Sequence, residues 1–194
     1  MRVAIVRYNA GNVQSVKNAL NRLGVDPLLT DDPDVLQTAD KVIFPGVGEA
    51  SSAMNYLREL KLDKAITSSK QPVLAVCLGM QLLCESSEEN NARCLGILPY
   101  RARRFRDDGI KVPQIGWNNI SNLRSPLFDD VGEQSRFYFV HSYFVEKGEH
   151  TIAETNYGLE FSAAIQIGNF YAVQFHPEKS GPAGAKIIAN FLKM

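Results

Sequence analysis

A short apolar run, Val73-Leu74-Ala75-Val76, ends at Cys77, and a helical pattern, Leu78-Gly79-Met80-Gln81-Leu82-Leu83, begins at once. The run fits a buried strand, and Gly79, just past the cysteine, lets the chain turn tightly. The thiol is thereby placed on a sharp strand-to-helix turn, at the positive end of a helix, where a thiolate is stabilised. That is the geometry of a nucleophile elbow with sulfur in place of a serine oxygen. Far downstream, Phe175-His176-Pro177-Glu178 carries an imidazole and a carboxylate close together. Cysteine, histidine and acid together point to acyl chemistry at a carbonyl. An apolar run with one cysteine is, on its own, a buried strand, because free cysteine packs as a small hydrophobe. The turn, the helix behind it and the His-x-Glu pair tip the reading toward chemistry.

Composition narrows the classes. The chain has 194 residues, 45% hydrophobic and 22% charged, with 21 basic and 21 acidic side chains and no net charge. No global field draws it to nucleic acid or to an anionic membrane, and neither partner is expected. Its basic cluster, Arg101 to Arg106, is short and interrupted, and reads as a solvated face or a partner contact. The opening Met1-Arg2-Val3-Ala4-Ile5-Val6 is already a strand, breaks at Asn9 to Asn12, and lacks a signal-peptide pattern. No apolar run approaches the roughly 18 residues of a membrane span. Cys77, Cys84 and Cys94 cannot all pair, none sits in a C-x-x-C, and the histidines show no metal spacing. A reducing compartment, the cytoplasm, is the simplest expectation, with no metal and no cofactor.

The first half alternates strand and helix. Strands are predicted at Val3-Val6, Pro27-Leu29, Lys41-Phe44 and Val73-Val76. Val13, Val16, Leu20 and Leu23 recur at helical spacing before Gly24, and Ala50, Met54, Leu57 and Leu60 mark another helix. After Gly96 the pattern changes to short β-like pieces: Phe137-Val140, Thr151-Ala153 and Phe161-Ile167, the last joined through Gly168-Asn169 to Phe170-Phe175. Ala183 to Leu192 reads as a closing helix. The expected fold class is α/β: a single three-layer domain over 1–194, with a mostly parallel central sheet flanked by helices and antiparallel strands added in the second half.

Ligands of such sheets sit beyond the carboxyl ends of the strands. Cys77, Pro45-Gly46-Val47-Gly48 and His176 with Glu178 all follow predicted strands. Roles follow from the chemistry. Cys77 attacks a carbonyl, His176 moves the proton, and Glu178 orients the imidazole. The backbone N–H groups of Leu78 and Val47 supply the oxyanion hole, and the glycines beside Val47 let that peptide move or approach closely. His141 and His150 read as structural or exposed.

These motifs, Cys77-Leu78-Gly79-Met80-Gln81, His176-Pro177-Glu178 and Pro45-Gly46-Val47-Gly48, resemble those of the class I (triad) glutamine amidotransferases. More narrowly, the chain is similar, nearly end to end, to the family of glutaminase subunits of imidazole glycerol phosphate synthases. The narrower likeness rests on Gly11-Asn12 with Ser15-Val16, Ser87-Glu88-Glu89, Pro113-Gln114-Ile115-Gly116-Trp117-Asn118, Tyr138-Phe139-Val140-His141-Ser142-Tyr143 and Phe175-His176-Pro177-Glu178-Lys179-Ser180-Gly181. The resemblance implies a flavodoxin-like fold and a triad of Cys77, His176 and Glu178. It implies glutamine contacts from Gln81, Gly46 and the Ser142-Tyr143 backbone, and a partner face near Trp117 and Lys179; a core tryptophan and a solvated lysine are the plain alternatives.

The implied reaction is hydrolysis of L-glutamine through a cysteinyl thioester. The ammonia is sheltered and passed to a separate (βα)8-barrel cyclase subunit in a heterodimer. That subunit's products are imidazole glycerol phosphate and an aminoimidazole carboxamide ribotide, in histidine biosynthesis. The Gly46-Val47-Gly48 loop further implies that the free subunit is a poor glutaminase until the partner sets the oxyanion donor. The chain departs from the family in having Ala75 for a common glycine and Arg7 for a common acid. Rival readings are the glutaminase subunit of another synthase such as anthranilate synthase, a cysteine peptidase, and a non-catalytic activating module.

Overall fold

A computed structural model of the chain describes residues 1–9, 13–132 and 134–194. Gly11 and Asn12, part of the motif quoted above, lie outside the described residues. The first half runs β1 (Val3–Val6), α1 (Val13–Arg22), β2 (Leu28–Thr30), α2 (Pro33–Thr38), β3 (Lys41–Phe44), α3 (Ala50–Glu59), α4 (Leu62–Thr67), β4 (Val73–Val76) and α5 (Leu78–Leu83). The second half adds β5 (Cys84–Ser87), β6 (Ala92–Arg93), β7 (Leu98–Arg104), β8 (Gln114–Asn119), β9 (Arg136–His141), β10 (Tyr143–Val145), β11 (Thr151–Asn156), β12 (Glu160–Ile167), β13 (Phe170–Val173) and α6 (Gly181–Lys193).

Among the described residues the main sheet has seven strands in the order β11-β12-β13-β4-β3-β1-β2. The pairs from β13 to β2 are parallel, and β12 and β11 add on antiparallel at the other edge. This is the α/β architecture expected of the sequence. Side chains alternate across a strand, and the alternation divides the core. Val3, Ile5, Ile43, Leu74 and Val76 pack with α1 and α6 on one face. Ala4, Val6, Val42, Phe44, Val73 and Ala75 pack with α2, α3, α4 and α5 on the other. A four-stranded sheet, β10-β7-β5-β6, and the pair β8-β9 complete the second half.

Several expectations shift in detail. The strand predicted over Phe170-Phe175 ends at Val173; Gln174 N–H still donates to Ala163 O of β12 at 2.8 Å, and the chain then runs on to His176. The Arg101 cluster lies partly on β7, where Leu98 and Ala102 are buried and the three arginines are exposed. Gly79 does not supply the turn: the positive φ, +54°, belongs to Cys77 itself. What Gly79 provides is close approach, because a Cβ there would overlap the carbonyl oxygen of Phe44 at the end of β3.

β4 lies between β3 and β13, with Phe44 level with Ala75 and Val173 level with Val76. Three loops therefore leave the sheet side by side: Pro45–Gly48, Cys77, and Gln174–Glu178. Replacing Gly79 with alanine is expected to destabilise the protein by about 2 kcal/mol or more through overpacking. Urea unfolding checks this, and an unchanged midpoint would count against the close approach.

Candidate active site

Cys77 sits at φ +54° and ψ −111° between β4 and α5. A non-glycine residue held there stores about 1–3 kcal/mol of backbone strain. The neighbours hold it: Cys77 N–H donates to Val173 O at 2.8 Å, and Leu78 N–H donates to Gly46 O at 3.3 Å. The sequence-predicted elbow is therefore present. Cys77 packs with one face of the sheet and Leu78 with the other.

His176 follows β13 and opens a single 3-10 turn, Pro177–Lys179. Its Nδ1 lies 2.8 Å from Glu178 Oε1, with both side chains almost wholly buried. A carboxylate only accepts, so Nδ1 carries the hydrogen. Burial by itself works to lower the His176 pKa. The Cys77 thiolate and the Glu178 carboxylate outweigh it and carry the imidazole up to about 10. His176 Nε2 makes no hydrogen bond of standard geometry; catalytic hydrogen bonds are often long before substrate binds and tighten when it does.

The nucleophile opens onto a cavity of about 220 Å³, lined by Val47, Gly48, Gln81, Glu89 and the Val140–Tyr143 segment among others. A larger groove, about 760 Å³, runs past Arg103, Arg104, Glu146, Lys147 and Glu160. It holds surface charges of both signs and no nucleophile, so volume alone does not locate the chemistry.

The remaining predicted residues converge on the smaller cavity. Gly46 is crowded: a Cβ there would lie 2.5 Å from Gly79 N and 2.7 Å from Tyr8 Oη. Gly48 instead needs its glycine for a φ of +108°. Of the two amides expected to form an oxyanion hole, that of Leu78 is taken by the Gly46 carbonyl. Gln81 lines the cavity, but its Nε2 donates to Tyr143 O at 3.0 Å and to Gln174 Oε1 at 3.1 Å. Its Oε1 is the atom left for a ligand. Trp117 and Lys179 lie apart from the cavity and flank Tyr138: the Trp117 ring is 6.1 Å from the Tyr138 ring and Lys179 Nζ is 5.8 Å from it.

Four residues escaped the sequence reading as site members. Gln174 is fully buried and its Nε2 lies 3.6 Å from Cys77 Sγ; the signal was a lone amide inside the apolar stretch Ala172-Val173-Gln174-Phe175. Glu89 contributes a carboxylate to the cavity wall, and burial, then Glu49, raise its pKa against the Ala50 hydrogen bond. Tyr8 Oη donates to Pro45 O at 2.8 Å, fixing the start of the oxyanion loop. His141, read as structural or exposed, is buried in the wall. Burial and the nearby His176 hold it down at about 4 against its hydrogen bond to Tyr143, so it stays neutral.

An elbow cysteine, a His-Glu pair and a mostly parallel sheet define a triad amidotransferase, and the chain belongs to the class-I glutamine amidotransferase family, whose model matches residues 5–194. Relatives named imidazole glycerol phosphate synthase subunit HisH are similar along their full length. That of Bacteroides fragilis strain YCH46 is 55% identical, with 100% of each chain covered. That of Escherichia coli K12 is 46% identical, again with 100% of each covered, and that of Haemophilus influenzae Rd is 46% identical over 100% of this chain and 98% of the relative. Solved structures share the fold. A glutamine amidotransferase matches with a TM-score of 0.78 at 18% identity, covering 100% of this chain and 98% of that one. Another, from Thermotoga maritima, matches with a TM-score of 0.67 at 17% identity over 100% and 81%.

Cys77→Ala removes the charge that most raises His176. The His176 pKa, followed by NMR of the ring protons, is expected to fall well below about 10; a value that stays put would mean that the sulfur and the imidazole are not coupled.

Proposed function

We propose that this chain is the glutaminase subunit of imidazole glycerol phosphate synthase. The observation that carries the reading is Cys77 on its elbow, opening onto a cavity, with the buried His176–Glu178 pair behind it. The full-length likeness to relatives bearing that subunit's name supports the narrower choice.

Cys77 attacks the side-chain carbonyl of L-glutamine. His176 gives its proton to the leaving nitrogen, ammonia departs, and a thioester remains. Water, deprotonated by His176, then cleaves the thioester to glutamate and restores the sulfur. Glu178 holds the imidazole and offsets its positive charge. The ligand's ammonium meets Glu89, the carboxylate in the cavity wall. Its carboxylate end meets the Gly46 loop and the Ser142-Tyr143 backbone, and Gln81 offers Oε1. The oxyanion forms at the Leu78 and Val47 amides.

That last step requires a change. The Gly46 carbonyl must leave the Leu78 amide, and the peptide that follows must turn Val47 N–H inward. A (βα)8-barrel cyclase, paired one to one, would drive it and receive the ammonia. Ile115 and Trp117 are 58% and 48% exposed on one face of β8, as an apolar contact surface would be. The Trp117–Tyr138–Lys179 group is directly tied to the triad, since His176 N–H donates to Tyr138 O at 2.9 Å. The free thiols of Cys77, Cys84 and Cys94 fit a reducing, cytoplasmic setting. Among the described residues no helix is long and apolar enough to cross a membrane.

Mixing the chain with the cyclase, glutamine and the phosphoribulosyl-carboxamide substrate is expected to yield glutamate and imidazole product in equal amounts. Alone, the chain should turn over glutamine roughly a hundredfold or more slowly, the effect of a missing oxyanion donor. Full turnover without the cyclase would sink the gating. Product with an anthranilate-type acceptor in place of the cyclase reaction would shift the assignment to another synthase.

A further inference from the structure

A continuous chain of hydrogen bonds, separate from the His176–Glu178 pair, ends on the nucleophile. It starts at the Tyr143 carbonyl, which has two acceptor positions. His141 Nδ1 takes one at 2.7 Å and Gln81 Nε2 the other at 3.0 Å. A carbonyl only accepts, so the Gln81 nitrogen is unambiguously on that side. The second hydrogen of the same nitrogen reaches Gln174 Oε1 at 3.1 Å. The Gln174 amide is thereby oriented too: its oxygen faces Gln81 and its NH2 faces Cys77 Sγ at 3.6 Å, a sulfur-length hydrogen bond. Gln174 is fully buried, and its backbone N–H is fixed on Ala163 O at 2.8 Å.

We propose that Gln174 is a further catalytic residue of the glutaminase, donating a hydrogen bond to the Cys77 thiolate, with its orientation dictated by Gln81. The proposal rests on the glutaminase reading above. The two states of the sulfur use these partners differently. A thiol can donate to Val140 O at 3.7 Å while accepting weakly from Gln174 at 3.6 Å; a thiolate has nothing to give and accepts more strongly. A donor to the charged form favours that form. It also keeps the sulfur at the end of β4 when His176 swings its proton toward the leaving nitrogen. Gln81 thus acts twice, with Oε1 open to the cavity and Nε2 serving as the link that aims Gln174.

The titratable groups around the sulfur are His176 and Glu178 beyond β13, Tyr8 beyond β1, His141 at the end of β9, and Glu89 across the cavity. Substitution at Gln174 leaves all of them in place. The test is the pH profile of iodoacetamide alkylation at Cys77 in the free subunit, read by mass spectrometry so that Cys84 and Cys94 are not counted.

Gln174→Met keeps the bulk and removes the donor; its midpoint should rise by about one pH unit, the worth of one hydrogen bond to a charged group. Gln174→Glu, which sets a carboxylate against the sulfur, should raise it further. A packing role alone would not produce that ordered rise, so a midpoint that stays or falls in folded variants overturns the proposal. If neither variant folds, the wild-type chain decides: the Gln174 side-chain amide protons should shift in step with ionisation of Cys77 in an NMR titration, and an amide indifferent to the sulfur overturns it. None of these readouts uses glutamine. A chain that passes them yet never hydrolyses glutamine would defeat the glutaminase reading and leave the hydrogen bond standing.

Discussion

The strained backbone of Cys77 is the constraint from which the site follows. A residue at φ +54° persists only where its surroundings leave no alternative. Here the peptide before it is tied to β13 and the peptide after it to the loop beyond β3. Both strands are parallel neighbours of β4, so the three chain segments are pulled to one edge by the same ladder. Gly46 and Gly79 lack side chains because these segments pass within contact distance there. The parallel register therefore does more than build a core. It delivers a nucleophile, a loop of amides and an imidazole to one place, from positions far apart in sequence.

Two buried histidines a few ångströms from this edge show how environment sets role. His176 faces a carboxylate and a thiolate, and its pKa goes up to about 10. His141 is packed against the rings of Phe105, Phe139 and Phe161 and bonds a backbone carbonyl, and its pKa goes down to about 4. On the proposed function, the first is the proton carrier. The second stays neutral and acts as a strut for the Ser142-Tyr143 bend. The same side chain at similar burial is driven in opposite directions by the charges beside it.

Legibility in the sequence followed burial on both faces. β1 and β4 are continuous apolar runs and β3 is one after Lys41, and their limits are read correctly because such runs fit strands buried on both faces. α2 and α4, six residues each, are too short to show a helical period. β5, with the sequence Cys-Glu-Ser-Ser, and β7, with its three arginines, lie in the small second sheet, where one polar face hides the pattern. The elbow at Cys77 and the His176–Glu178 contact are legible because cysteine, histidine and acid stand out by their chemistry. Gln174 was not: an amide declares no role until its partners are known, and those partners are distant in the chain. Gly79 was assigned to a turn for a similar reason, since its actual neighbour, the Phe44 carbonyl, belongs to another strand.

Under the proposed function, the bond from Leu78 N–H to the Gly46 carbonyl keeps the oxyanion hole closed, as suits a subunit that should not hydrolyse glutamine without an acceptor for the ammonia. Holding the active arrangement near one part in a hundred requires a preference of roughly 2.7 kcal/mol for the closed one. The bond from Leu78 to Gly46, worth about 1 kcal/mol net, supplies part of that. Packing of the loop against Tyr8 and the elbow is available for the rest. So small a preference lies within reach of the proposed partner if it buries the exposed Ile115 and Trp117, because the same surface is joined through Tyr138 to His176. Gly48, with open space around it and a positive φ, is where the loop can absorb the rotation, while Tyr8 holds the Pro45 end still. The movement is thereby confined to the Gly46–Val47 peptide, the one segment whose reversal exchanges a blocking carbonyl for a donating amide.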